Sequence, residues 1–161
     1  MRYLLSLGSN IGDRTTNIDA ALRLLDERGV TIQRRSSLYR TAPVEAPPQE
    51  DFVNAVALVE TPLSPEELLD LTTAIETALG RTRTAKNGPR IIDIDIVLSA
   101  AGTYRSPRIE IPHPRWRQRR FVVEPAREIA DGTPFADPVA AIDTRSLTHQ
   151  RIERIPTEAL P

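Results

Sequence analysis

The chain contains no cysteine, one lysine, two histidines and few aromatic residues. Without thiols, disulfides, thiolate zinc sites, iron–sulfur clusters and cysteine nucleophiles are all excluded. His113 and His149 are too few for a histidine-rich metal centre. No apolar run approaches the roughly 20 residues that a membrane-spanning helix needs. The N-terminal Met1–Leu7 run is short and leads into a polar, charged helix rather than a cleavage site, so a soluble cytoplasmic protein is expected. A net charge of −1 removes any whole-chain attraction to nucleic acid or to anionic membrane. The 161 residues suit a single domain spanning 1–161, in which about 132–161 form a weakly patterned C-terminal extension. No repeat or linker divides it, and a monomer is expected.

The scarcity of lysine leaves arginine as the cation at every position except Lys86. Composition accounts for most of these. The planar guanidinium is nonetheless the better fork for phosphate oxygens, so local clusters carry meaning.

The most informative stretch is Gly88-Pro89-Arg90-Ile91-Ile92-Asp93-Ile94-Asp95-Ile96-Val97-Leu98. Its branched aliphatics and Gly-Pro entrance predict a β-strand. Side chains at i and i+2 share a strand face, so Asp93 and Asp95 project together, with Ile92, Ile94, Ile96 and Leu98 opposite. Two adjacent carboxylates repel, and their natural counter-charge is a hard divalent cation such as Mg²⁺. The alternative is an edge strand whose aspartates face water to discourage aggregation. Immediately before the strand, residues 81–90 hold Arg81, Arg83, Lys86 and Arg90 with no acid. Carboxylates for a metal beside guanidinium groups for oxygens are what a polyphosphate–Mg²⁺ ligand requires.

The remaining periodicities predict strand 2–8, a turn at Gly8–Asp13, and a helix with Ile18, Ala21, Leu22 and Leu25 inward. A strand is expected from about Val30 to Tyr39, then an irregular loop over 42–50, then a strand from about Asp51 to Glu60. Val53, Ala55, Ala57 and Val59 share one face of the last strand; Phe52, Asn54, Val56 and Leu58 share the other. Asn54 there can read the edge of a flat heterocycle. Ser64-Pro65-Glu66-Glu67 is a capping box opening a helix with Leu68, Leu71, Ile75 and Leu79 buried and Glu76 in solvent. A second cationic stretch, Pro112–Phe121, interleaves His113 with arginines and aromatics. A short helix through about Ala130 follows, with a last helix expected over 143–152 and His149 as an exposed bystander. The order β-α-β-β-α-β is that of a ferredoxin-like α+β sandwich, an antiparallel sheet with helices packed on it plus short C-terminal extras. Three functions fit these residues: metal-dependent phosphoryl or diphosphoryl transfer, a non-catalytic RNA- or nucleotide-binding module, and a metal-dependent phosphodiesterase.

Gly8-Ser9-Asn10, Ser37–Thr41, Asp51-Phe52-Val53-Asn54-Ala55, Gly88-Pro89-Arg90 with Asp93-Ile94-Asp95, and Pro112-His113 with Arg119 and Phe121 occur together and in order. In this combination the chain resembles the 6-hydroxymethyl-7,8-dihydropterin pyrophosphokinase (HPPK) family over roughly residues 2–130. The resemblance implies transfer of diphosphate from ATP to the pterin hydroxymethyl oxygen in folate biosynthesis, with small-molecule substrates and no nucleic-acid partner. It implies Asp93 and Asp95 as ligands to two Mg²⁺ ions, with Arg81 and Arg90 also in the catalytic set. It further implies Arg81, Arg83, Arg90, Ile96, Arg108, His113 and Arg119 around ATP, and Thr41, Pro43, Val44, Phe52, Asn54 and Phe121 around the pterin. The chain departs from the pattern at Asn87, where a tryptophan is frequent, at Pro114, where a tyrosine is, and at Arg120, where a glycine is. Trp116 is the neighbouring aromatic that could stand in for a missing one.

Overall fold

The computed structural model describes residues 1–43, 49–80 and 89–156. The elements run β1 (Arg2–Ser9), α1 (Arg14–Glu27), β2 (Thr31–Arg35), β3 (Tyr39–Thr41), β4 (Phe52–Glu60), α2 (Pro65–Ala78), β5 (Asp93–Ser99), β6 (Tyr104–Arg105), β7 (Glu110–Ile111), α3 (Arg120–Ile129), α4 (Ala136–Ala140) and β8 (Ile152–Arg154). The expected second strand is thus two short ones, interrupted at Ser36–Leu38. Ser36 uses its backbone N–H and its hydroxyl on Val56 there, in place of continuous ladder pairing.

The main sheet has the order β5-β1-β4-β3-β8, with β2 also pairing β4, and every pairing is antiparallel. β6 and β7 form a separate small ribbon. This is the α+β sandwich expected from the element order, with β1 and β4 at its centre.

Alternation along the central strands divides the interior in two. Tyr3, Leu5 and Leu7 of β1, with Val53, Ala55, Ala57 and Val59 of β4, pack against Ile18, Ala21 and Leu25 of α1 and Leu68 and Ile75 of α2. Leu4, Val56 and Leu58 face the other way, onto Val122, Val123 and Ala126 of α3 and Val139 of α4. The C-terminal helices therefore cover the second face of the sheet, while β8 extends its edge beside β3. Both sheet-packing helices of the first layer start on caps: Asp13 accepts from the Thr16 N–H, and Ser64 and Glu67 close the expected capping box.

Leu98 departs from the strict alternation. Leu4 pairs with Leu98 and Leu5 with Ile96, so Val97 is an extra residue on β5, a bulge. The bulge turns Val97 and Leu98 both towards α3, while Ile92, Ile94 and Ile96 stay under α1 and α2. Trp116 is fully buried in that second core beside Leu4, Val56 and Val122, so it replaces no aromatic in a ligand slot. The expected helix over 143–152 is instead one 3₁₀ turn, Thr144–Leu147, followed by β8. No helix among the described residues is long and apolar enough to cross a membrane.

Candidate active site

Gly8 is the point from which the site is built. In the middle of the sheet it pairs with Asn54 on one side and Asp93 on the other. Its missing side chain is a steric requirement, because a Cβ there would lie 2.5 Å from Asn54 Oδ1 and 3.5 Å from Phe52 Cδ1. Phe52 and Asn54 of β4, Gly8 of β1, and Asp93 and Asp95 of β5 thus share the sheet face that α3 also covers. A slot with an aromatic and an amide is joined to an acidic pair across one glycine.

Asn54, only 4% exposed, is oriented by donating through Nδ2 to Thr41 Oγ1 at 2.6 Å. With one N–H committed, a carboxamide still has a second N–H and its oxygen to present to a ligand edge. Pro43 follows on the same side and lines a cavity of about 1020 Å³ together with Arg115, Arg119, His149 and Arg151. Opposite, α3 brings Phe121 in its first turn, and the Arg119 guanidinium stands 5.5 Å from the centre of that ring. Val44, Arg81 and Arg83 lie outside the described residues.

Among the described residues, Arg90 stands beside Asp93 and Arg119 beside Asp95. Arg90 Nη1 is 2.8 Å from Asp93 Oδ2, and Arg119 Nη1 is 3.6 Å from Asp95 Oδ2. The cations do not neutralise the cluster: burial, then the charge of Asp93, push the Asp95 carboxyl up to about 7 against the pull of Arg119. Glu76 adds to that repulsion. The expectation of a solvated Glu76 is wrong: it is 8% exposed, and its Oε2 accepts from the Ile94 N–H at 2.8 Å. Ile94 separates the two aspartates, so the buried glutamate fixes the edge of the strand that presents them.

Asn10, 3% exposed, is a second residue whose role the sequence concealed. Its backbone N–H donates to Arg90 O at 3.0 Å and its Oδ1 accepts from the Arg90 N–H at 2.7 Å. Its Nδ2 donates to Gln49 Oε1 and to Glu50 O. One buried amide therefore ties the segment before the acidic strand to the segment before Phe52.

His113 is placed by the β5 bulge, since its N–H donates to the carbonyl of Val97 at 2.9 Å. Its Nδ1 accepts from the Arg115 N–H at 3.1 Å, which puts the proton of the neutral ring on Nε2. Burial, reinforced by the Arg119 cation, lowers its pKa to about 4. At neutral pH the ring is an uncharged N–H donor. Two residues named for the nucleotide have their side chains engaged by the protein itself. The Ile96 side chain lies in the core beneath α1 and α2, so only its backbone can reach a ligand on the acidic face. Arg108 is held by Asp70 and Glu66 of α2.

Among the described residues no group of three or more His, Cys, Asp or Glu forms a metal cage. The acidic pair nevertheless suits a hard cation: two oxygen donors, mutually repelling and held on one face. Mg²⁺ bound by so few carboxylates takes its other ligands from water and phosphate oxygens.

A carboxylate pair flanked by guanidinium groups, beside an aromatic–amide slot on an α+β sandwich, suits a metal–polyphosphate ligand next to a flat heterocycle. Residues 4–131 match the sequence model of 7,8-dihydro-6-hydroxymethylpterin-pyrophosphokinase (HPPK). The chain is 44% identical over 126 residues to 2-amino-4-hydroxy-6-hydroxymethyldihydropteridine pyrophosphokinase of Bacillus subtilis, covering 78% of this chain and 75% of that one. It is 36% identical to the Methylorubrum extorquens protein of the same name, covering 96% and 98%. It is also 38% identical to the mitochondrial folate synthesis bifunctional protein of Pisum sativum, but spans only 27% of that chain. A Plasmodium falciparum HPPK-DHPS crystal structure superposes with a TM-score of 0.65 at 14% identity, over 96% of this chain and 46% of that one, a likeness of fold. The chain belongs to the 7,8-dihydro-6-hydroxymethylpterin-pyrophosphokinase family.

Proposed function

We propose that the protein transfers diphosphate from ATP to the hydroxymethyl group of 6-hydroxymethyl-7,8-dihydropterin, releasing AMP. The observation that carries this reading is the register of β1. Gly8 sets the heterocycle-reading Asn54 and the metal-binding Asp93 on the two strands that flank β1 and on one face. A hydroxymethyl arm of a ring held at Phe52 and Asn54 would reach the acidic pair.

Phe52 and Phe121 hold the pterin by its faces, a stack that contributes on the order of 1 kcal/mol beyond ring burial. Asn54 bonds its edge, and Thr41, Pro43 and the backbone at Val44 complete the pocket. Asp93 and Asp95 hold Mg²⁺, two ions in the family pattern, and the bound metal supplies charge neutralisation at the phosphates and polarisation of the hydroxyl. Arg90 and Arg119, already beside the carboxylates, hold phosphate oxygens, with Arg81 and Arg83 from the preceding segment. His113 donates its Nε2 proton to a phosphate oxygen without adding a charge. No protein nucleophile is required, because in-line transfer to an alcohol depends on alignment and electrostatics.

The test is direct. Protein, ATP, Mg²⁺ and the hydroxymethyl dihydropterin together should yield AMP and the pterin diphosphate. ADP as the product, or turnover independent of the pterin, overturns the proposal. Asp95→Ala should abolish turnover while circular dichroism stays unchanged; wild-type rates in that variant would refute the metal assignment.

A further inference from the structure

The two sides of the slot are joined by a pair of residues outside the matched span 4–131. Gln150 and Arg151 lie between the last 3₁₀ turn and β8. Gln150 holds the α3 side. Its Oε1 accepts from the Arg120 N–H at 2.9 Å, its carbonyl accepts from Arg120 Nη1 at 2.9 Å, and its Nε2 donates to the Gln118 carbonyl at 2.6 Å. Arg120 is the first residue of α3, whose N-cap residue Arg119 makes no side-chain cap. The early N–H groups of a helix lack intrahelical acceptors, so Gln150 caps α3 from 30 residues away. Arg119 and Phe121 flank that capped N–H.

Arg151 holds the other side. Its carbonyl accepts from the Ala42 N–H at 3.2 Å, and its Nη2 donates to Asp51 Oδ1 at 2.9 Å. Ala42 lies between Thr41 and Pro43, and Asp51 directly precedes Phe52. β8 then pairs with β3, Tyr39 opposite Arg154 and Thr41 opposite Ile152. Two consecutive residues thus bond directly to residues that adjoin Thr41, Pro43, Phe52 and Phe121.

We propose that Gln150 and Arg151 are positioning residues for pterin binding, a clamp that sets the separation of the Phe121 side from the Thr41–Phe52 side. The proposal rests on the assignment of this slot to the pterin. It predicts a larger effect on the pterin than on ATP, because of the groups assigned to the nucleotide only Arg119 adjoins the clamp.

Affinity for the pterin alone, measured by fluorescence titration without ATP, and KM for each substrate test it on the full chain. Gln150→Ala should weaken pterin affinity and raise pterin KM about five- to tenfold, the loss of roughly one cap, with a smaller rise in ATP KM. Arg151→Ala, which keeps its carbonyl bond to Ala42, should show a smaller shift of the same kind. Gln150→Glu keeps the acceptor for the Arg120 N–H but loses the donor to Gln118, and should recover part of the affinity. Arg145→Ala, an exposed neighbour paired with Asp143, should behave as wild type. The clamp is overturned by unchanged pterin affinity in Gln150→Ala, by equal losses for both substrates, or by Arg145→Ala matching Gln150→Ala. Should Gln150→Ala misfold, wild-type pterin affinity in both Gln150→Glu and Arg151→Ala overturns it. Pterin binding that tracks the variants without AMP formation upholds the clamp and removes the proposed activity; a wild-type chain that does not bind the pterin removes both.

Discussion

Replacing Asp95 by asparagine should make the metal-free protein more stable, and only above a particular pH. The carboxyl is moved from its ordinary value of 3.8 to about 7 by burial and by Asp93, against Arg119. Taken at face value that displacement is about 4 kcal/mol of unfavourable ionisation. With 32% of the side chain exposed, solvent screening reduces the expected effect to about 1–2 kcal/mol. The sign follows from proton counting. Between about pH 4 and 7 the folded protein holds a proton on Asp95 that the unfolded chain has released, so wild-type stability declines as pH rises through that window and levels off above it. The amide carries no such penalty. Urea unfolding in the presence of a chelator should therefore show Asp95→Asn ahead of wild type at pH 8, with the gap shrinking towards pH 4. Mg²⁺ should raise wild-type stability at pH 8 by mass action and leave the variant unmoved. A gap of constant size across the pH range, or a variant less stable than wild type at pH 8, would show that the acidic pair is not strained.

Gly8→Ala should fold yet lose the pterin, because the added methyl, 2.5 Å from Asn54 Oδ1, displaces a side chain that is anchored to Thr41. A displaced buried amide costs about 1–3 kcal/mol, so pterin KM should rise at least about fivefold while ATP KM holds; equal affinity for the pterin would refute the close approach. Asn10→Ala should lower stability by about 2–3 kcal/mol by orphaning the Arg90 N–H and releasing Gln49, and should speed hydrogen exchange at the Arg90 amide; unaltered exchange would deny the hub. For His113, the Cε1 proton resonance should titrate in the ligand-free protein with a midpoint of about 4, moving upward when ATP brings negative charge to the ring; a midpoint between 6 and 7 would mean a solvated, charge-bearing histidine.

What the sequence made legible is what local periodicity and charge control. The i, i+2 rule put Asp93 with Asp95 and Phe52 with Asn54, because a strand leaves side chains no other choice of face. The capping box placed α2 for the same kind of local reason. The edge-strand reading of the aspartates held half of the truth, since β5 is indeed an edge strand, but its acids point along the sheet face at β1 and α3. Partners distant in sequence were beyond such rules. Glu76 meets Ile94, Asn10 meets Arg90 and Gln150 meets Arg120, and each is a polar side chain that sequence alone leaves in solvent. Burial decided the first two, since a desolvated amide or carboxylate must find a bond, while the half-buried Gln150 answers the orphan N–H of a helix start. The Val97 bulge escaped for a related reason: one extra residue breaks a period of two without any compositional mark. Its effect is to turn the strand just past Asp95, which moves Leu98 to the second core and offers the Val97 carbonyl to His113. The irregularity that defeats the pattern is therefore also what delivers the neutral imidazole to the acidic face, where strict alternation would have left Val97 paired within the sheet.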